Sequence, residues 1–207
     1  MMPIAISHFS DVLCIWAYVA QIRINELCAE FGDQVELDYH FCHVFGDTRT
    51  KIATRWAERG GASAYSAHVR EVAARFEHVI VHPDIWAPVQ PSSSMSPHLF
   101  LRAVFVTLPD DARRRARFAE AIWRFRSAFF VDAIDVSCRS RQLELAEELQ
   151  LDRGAIERTI ESGEAFAALS ADIDLAAAHN VAVSPTLVFN EGRQRLNGNV
   201  GFRIIEA

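Results

Sequence analysis

The stretch Ser10-Asp11-Val12-Leu13-Cys14-Ile15-Trp16-Ala17-Tyr18 decides how this chain is read. Ahead of it, the mainly apolar run Ile4 to Phe9 predicts a strand. Behind it, Trp16, Ala20, Ile24, Leu27 and Phe31 recur at spacings of three and four, the period of a helix with one apolar face. Cys14 therefore falls where a strand ends and a helix begins. The first amides of a helix have no partners within it, and the aligned peptide dipoles place about half a positive charge there. A thiolate is stabilised in such a place, and its pKa falls from about 8.5 into roughly 3.5–7.5. Free cysteine is also among the most buried residue types and packs as a small hydrophobe. The segment by itself leaves Cys14 open as either a reactive thiol or a core one.

Further along, Gly32-Asp33 ends the helix, whose apolar face also carries Cys28, expected in the core. In Val35 to Cys42 the apolar residues take the odd positions, a strand period, with Cys42 on the polar side beside Asp38 and His40. Strand, helix and strand make a βαβ unit if the strands are parallel. From about Thr48 to about Glu161 only helical patterns follow: Ile52 and Trp56; Tyr65, Val69, Val72 and Phe76; Leu99 to Val106; Phe118, Ile122, Phe125 and Phe129; Leu143 to Leu149; Ala155 to Ile160. His82 to Pro91 is a proline-punctuated loop, and Pro97 suits a first helical turn. Glu164 to His179 predicts a helix with Phe166, Leu169, Ile173 and Ala177 on one face and Asn180 as its C-cap. Val183-Ser184-Pro185-Thr186 then opens the strand Thr186–Phe189. Asn190-Glu191-Gly192 turns the chain, Gln194 to Leu196 returns it, and Gly198-Asn199-Val200-Gly201 leads into a last helix. Pro185 cannot donate into a sheet ladder, so it marks a strand start. If its peptide bond is cis, main-chain groups are left at the sheet edge that could hold an extended thiol-bearing substrate.

The 207 residues are half hydrophobic and 23% charged, with net charge −6. This is a soluble globular composition, and it gives nucleic-acid binding no support. The N-terminus lacks a basic signal region and no apolar run approaches the ~20 residues of a membrane helix; the expectation is a cytoplasmic protein with no membrane partner. Cys14, Cys28, Cys42 and Cys138 form no C-x-x-C pair and resemble neither a disulfide framework nor a zinc site. His40, Cys42 and His43 do not make a metal site either, because adjacent strand residues point to opposite faces. Arg113, Arg114, Arg115 and Arg117 read as a solvated face paired with Asp110, Asp111 and Glu120.

The whole order of strand, cysteine at a helix start, strand, helical insertion, helix, X-Pro-Thr, hairpin and short helix resembles the DsbA-like branch of the thioredoxin superfamily. Phe9 to Tyr18 is similar to that branch's active-site segment, an Asp followed by C-P-W-C-Y. Val183 to Asn190 is similar to its cis-proline loop, and Phe129 to Ser137 to a segment late in its insertion. The pattern is nearest to bacterial cytoplasmic members grouped with hydroxychromene carboxylate isomerase and kappa-class glutathione transferase. The resemblance implies an α/β thioredoxin-like fold with a mixed sheet, made of residues 1–45 and 163–207, interrupted by a helical insertion over 46–162. It implies glutathione as co-substrate, no metal, a peptide or small-molecule thiol as partner, and a homodimer.

Carried over residue by residue, Cys14 is the nucleophile, Ser184 and Pro185 align the substrate, and Trp16 flanks the sulfur. Ser10 and Ala17 belong to the active-site segment, and Asn199 and Arg203 are candidates for glutathione's carboxylates; Arg203 reads equally as a solvated cation. Two departures matter. The second cysteine of C-x-x-C is Ala17, so no thiol one turn on can resolve a mixed disulfide, which leaves Cys42 as a distant substitute to consider. Where the isomerases and transferases usually carry serine, this chain has Cys14. The expected function is single-cysteine, glutathione-linked thiol–disulfide exchange. The alternatives are a glutathione-dependent isomerase or transferase, its cleft lined by residues such as Trp56, Trp86 and Phe129 if these are not core, and an inactive binding protein of the same fold.

Overall fold

The structure, a computed structural model, describes residues 3–207; Met1 and Met2, the start of the N-terminal segment read above, lie outside the described residues. In order along the chain run β1 (Ile4–Ser10), α1 (Ile15–Phe31), β2 (Val35–Phe41), α2 (Thr48–Arg55), α3 (Gly61–Ala73), α4 (Met95–Thr107), α5 (Arg114–Phe130), α6 (Arg139–Glu148), α7 (Arg153–Glu161), α8 (Glu164–Ala178), β3 (Thr186–Phe189), β4 (Gln194–Asn197) and α9 (Phe202–Glu206). The strands form one mixed sheet in the order β2-β1-β3-β4. β1 runs parallel to β2, with Ser10 opposite Phe41, and antiparallel to β3, with Phe9 opposite Thr186. The turn after β1 that carries Cys14, the β2–α2 loop and the loop before β3 thus leave the sheet side by side.

The α/β fold, the mixed sheet and the helical stretch between β2 and α8 agree with the sequence reading. Local chemistry sets several of the boundaries. Asp47 caps α2 by accepting from the Thr50 amide at 3.0 Å, and Asp152 caps α7 by accepting from Ala155 at 2.9 Å. Pro97 sits in the first turn of α4, and Asn180, at φ 51°, closes α8 in the left-handed region. Among the described residues no helix is long and apolar enough to cross a membrane.

Three packing expectations need correction. Cys42 is buried with Phe9, Ala176 and Val188, because α8 covers the face of the sheet that the alternation in β2 assigned to solvent. Cys28 is exposed, the stripe of α1 being narrower than the pattern implied. In α8 the buried residues are Ala165, Leu169, Asp172 and Ala176, while Phe166 is 57% exposed. The helix is turned so that Asp172 meets Arg102 of α4 at 2.5 Å, His40 Nδ1 at 2.8 Å and the Phe41 amide at 3.0 Å. An ion pair, not the largest apolar side chains, orients this helix. The arginine cluster at α5 pairs as a surface group, though beyond its own neighbourhood: Arg114 meets Asp110, and Arg115 reaches Glu36 and Asp38 on β2.

Candidate active site

The turn Asp11–Cys14 is held from three directions. The Asp11 amide donates to Ser184 Oγ at 2.9 Å. Its carboxylate accepts from the Leu13 amide at 2.9 Å, the Phe45 amide at 2.8 Å and Ser94 Oγ at 2.7 Å. The Val12 amide donates to His98 Nε2 at 3.1 Å. A fully buried aspartate thereby joins its own turn to the β2–α2 loop and to the start of α4. Burial pushes the Asp11 carboxyl up, against the pull of its donors.

Cys14 is the N-cap of α1, in extended backbone conformation, and 5% exposed. Its thiol donates to the Ser184 carbonyl at 3.2 Å, and the Ser184–Pro185 peptide bond is cis. Burial pushes the thiol up from its ordinary value, and the nearby Asp11 carboxyl adds to this. Contact with Ser184 and the amides of Ala17 and Trp16 pull the other way without winning. The helix terminus exerts the influence expected of it, but in this form desolvation outweighs it. The reverse holds at Cys138, the N-cap of α6, which is exposed: Ser140 and the amides of Arg141 and Ser140 draw that thiol down. Cys42 also lies against Ser184, and burial pushes its thiol up. All four cysteines are free.

Beside Cys14 opens a cleft of about 920 Å³. Cys14, Trp16, Ser184 and Asn199 line it, as the sequence reading placed them together. Val44, Phe45, Trp56 and Tyr65 form its aromatic and apolar wall, Lys51 and Arg55 contribute cationic groups, and His68 contributes an imidazole. The Gly198 amide donates to the Pro185 carbonyl at 2.7 Å with Gly198 at φ 78°, a conformation that suits glycine, and this carries Asn199 to the cleft. Arg23 then holds Asn199 Oδ1 at 2.6 Å.

The remaining expected residues are not on the cleft wall. Ser10 and Ala17 are buried behind it. Pro185 borders a small void with His8. Arg203 is exposed on α9 and does not line the cleft. Trp86 and Phe129 are fully buried core, leaving Trp56 as the one of the three named aromatics that lines the cleft.

Lys51, Arg55, Tyr65, His68, Arg23 and Arg126 were not singled out from the sequence. The i,i+4 spacing of Lys51 and Arg55 was the available sign, since it puts both on one helix face. Lys51 is half-buried, lies 4.3 Å over the Phe45 ring and donates to the Val44 carbonyl; burial lowers its pKa.

The model of the DSBA-like thioredoxin domain family matches residues 5–206. No curated protein matches the sequence. Among solved structures the chain is similar to a probable DsbA oxidoreductase from Streptomyces coelicolor, at 20% identity and a TM-score of 0.73, over 97% of this chain and 86% of that one. It is similar to the cytosolic disulfide reductase DsbM from Pseudomonas aeruginosa, at 19% identity and 0.66, over 93% and 89%; that protein is also solved with GSH. A third similarity is to 2-hydroxychromene-2-carboxylate isomerase, at 17% identity and 0.63, over 98% and 92%. At these identities the likeness establishes the fold.

Proposed function

The chain belongs to the DSBA-like thioredoxin domain family, and from that premise we propose that it catalyses thiol–disulfide exchange through Cys14 alone, with glutathione as co-substrate. One observation carries this reading. Cys14 opens onto a cleft at a helix N-terminus with its sulfur against Ser184, while the position one turn on is Ala17. The Cys14 thiolate attacks one sulfur of a substrate disulfide, forming a mixed disulfide and releasing the other sulfur as thiolate. A glutathione thiolate then attacks the mixed disulfide and restores Cys14, its own sulfur leaving in the new disulfide. The Ser184 carbonyl aligns the substrate's main chain, Trp16 borders the sulfur, and Asn199, Lys51 and Arg55 face the carboxylates of the tripeptide. Residues 46–162 act as the insertion that supplies the outer wall. The reading places the protein in a glutathione-rich, reducing compartment, in line with the cytosolic DsbM to which it is similar.

The test is exposure to glutathione disulfide with mass mapping of each cysteine, in the wild type and in Cys14→Ser. The expected result is a reducible adduct at Cys14, besides any at the exposed Cys28 and Cys138, and loss of exchange activity in the variant. Full activity in Cys14→Ser refutes the proposal. The aromatic wall of Phe45, Trp56 and Tyr65 favours one second reading, a glutathione-dependent isomerase acting on a planar substrate. Reversible glutathione binding with no adduct, together with glutathione-dependent turnover of an aromatic ketoacid, would select it.

A further inference from the structure

Behind the active-site turn lies a charge that the exchange reading has not yet used. Arg126 of α5 is fully buried. Its Nη1 donates to Gln21 Oε1 and its Nη2 to Ser10 Oγ, both at 2.6 Å, and Nε has no partner. Both acceptors are neutral. The comparison with Arg102 is instructive: that guanidinium is also buried, but it is neutralised by Asp172 at 2.5 Å. A buried cation with no ion-pair partner is costly, and burial pushes Arg126 down to about 10 against the pull of nearby groups, Asp11 among them. Its two anchors locate it. Ser10 immediately precedes the Asp11–Cys14 turn, and Gln21 is on α1, the helix that Cys14 caps. The guanidinium is therefore tied to the strand end before the Cys14 turn and to the helix after it.

We propose that Arg126 is a positioning residue whose uncompensated charge is the internal counter-charge of the Cys14 thiolate. This rests on the thiol-exchange reading, and it says where the driving force for ionisation comes from in a thiol that desolvation keeps protonated at rest. In a medium of low dielectric the burial that opposes the thiolate also leaves the field of Arg126 little screened. The surrounding groups leave few competitors. His8 on β1 and His98 on α4 are held neutral by burial; Tyr39 on β2, Cys42 just after it and Tyr65 on α3 keep their protons for the same reason. Arg55 on α2 and His68 on α3 are exposed, and Lys51 is half-buried at the cleft, so solvent screens all three. Asp11, held by its three donors, is the opposing charge.

The test is the pH dependence of Cys14 alkylation by iodoacetamide, read by peptide mass spectrometry with Cys138 as internal reference. Arg126→Met removes the charge. Gln21→Glu leaves the arginine in place and neutralises it with a nearly isosteric carboxylate. Both should raise the Cys14 midpoint by about one unit, slowing alkylation about tenfold near neutral pH, while Cys138 is unmoved. Gln21→Glu, which supplies the missing counter-ion, should raise the melting temperature while it weakens the thiol as an acid. A purely structural role would make the thiol follow stability instead. An unmoved midpoint in Gln21→Glu overturns the proposal, whether or not Arg126→Met folds. Alkylation is independent of glutathione, so a wild type that never captures glutathione at any pH sinks the exchange reading without touching this result.

Discussion

Cys14 and Cys138 occupy the same local position, the N-cap of a helix, yet their thiols shift in opposite directions: burial pushes Cys14 up, while Ser140 and the helix amides draw the exposed Cys138 down. Iodoacetamide should therefore modify Cys138 first in the resting protein. Cys14 should lag until the pH rises above the range of an ordinary thiol; time-resolved mass mapping across pH checks this, and a faster Cys14 would contradict the packing described. A second prediction concerns the missing partner. Ala17→Cys restores C-x-x-C at the N-terminus of α1. The variant should form an internal disulfide in glutathione redox buffer and shed its mixed disulfide without added thiol, as measured by thiol counting and adduct lifetime. The sequence made the position of Cys14 and the pairing with Ser184-Pro185 legible, because cap and strand start are local signals. It could not give the direction of the thiol's pKa. That depends on how deeply residues from three distant segments, around Phe45, His98 and Ser184, enclose the turn.

For the elements, period alone placed strands and helices well and placed their faces less well. The strand β2 alternates cleanly, but α8 covers the polar face at its C-terminal end, so the alternation did not translate into an outside position for Cys42. The helix α8 presents Phe166 to solvent because Asp172 must reach Arg102, His40 and the Phe41 amide. Such an ion pair is invisible to apolar periodicity, since its partners are 70 residues apart. Removing one partner strands the other in the interior: Asp172→Ala should cost about 3–5 kcal/mol in urea unfolding. Arg102→Leu combined with Asp172→Leu should recover much of that loss. Equal loss in the single and double variants would show that the pair does not orient the helix.

The whole molecule carries a pH signature in its buried histidines. Burial, reinforced by Arg126 and His40, lowers His8 from 6.5 to about 3, and neither of its ring nitrogens has a protein partner. A folded-state pKa below the unfolded one means that the unfolded chain takes up the proton first. The stability is present above about pH 6.5 and is lost as the pH falls toward 3. For His8 alone the loss is about 2 kcal/mol at pH 5, and His98, also lowered well below its ordinary value, adds in the same direction. His8→Phe should flatten this acid limb in urea titrations at pH 5 and pH 7; an unchanged slope would exclude His8 as its source. At this scale the sequence was informative about the layout of the chain and silent about the cleft. Lys51, Arg55, Tyr65 and His68 share a cleft with Cys14 only through the way α2 and α3 pack, which the i,i+4 spacing of Lys51 and Arg55 does not reveal.

The bond from the Cys14 thiol to the Ser184 carbonyl has a kinetic meaning. At rest the sulfur's proton occupies the acceptor that an extended substrate would use. Under the exchange reading, docking and deprotonation favour each other through one acceptor: a substrate amide that takes the Ser184 oxygen removes a hydrogen bond that favours the protonated thiol, and a thiol that has lost its proton to solvent frees the oxygen. Binding and ionisation thus promote each other by equal amounts, as linkage requires. Under the proposed exchange reading, a sulfur held this way rests as the thiol while no disulfide is bound and ionises more readily once one has docked, with Arg126 as the charge that receives the thiolate.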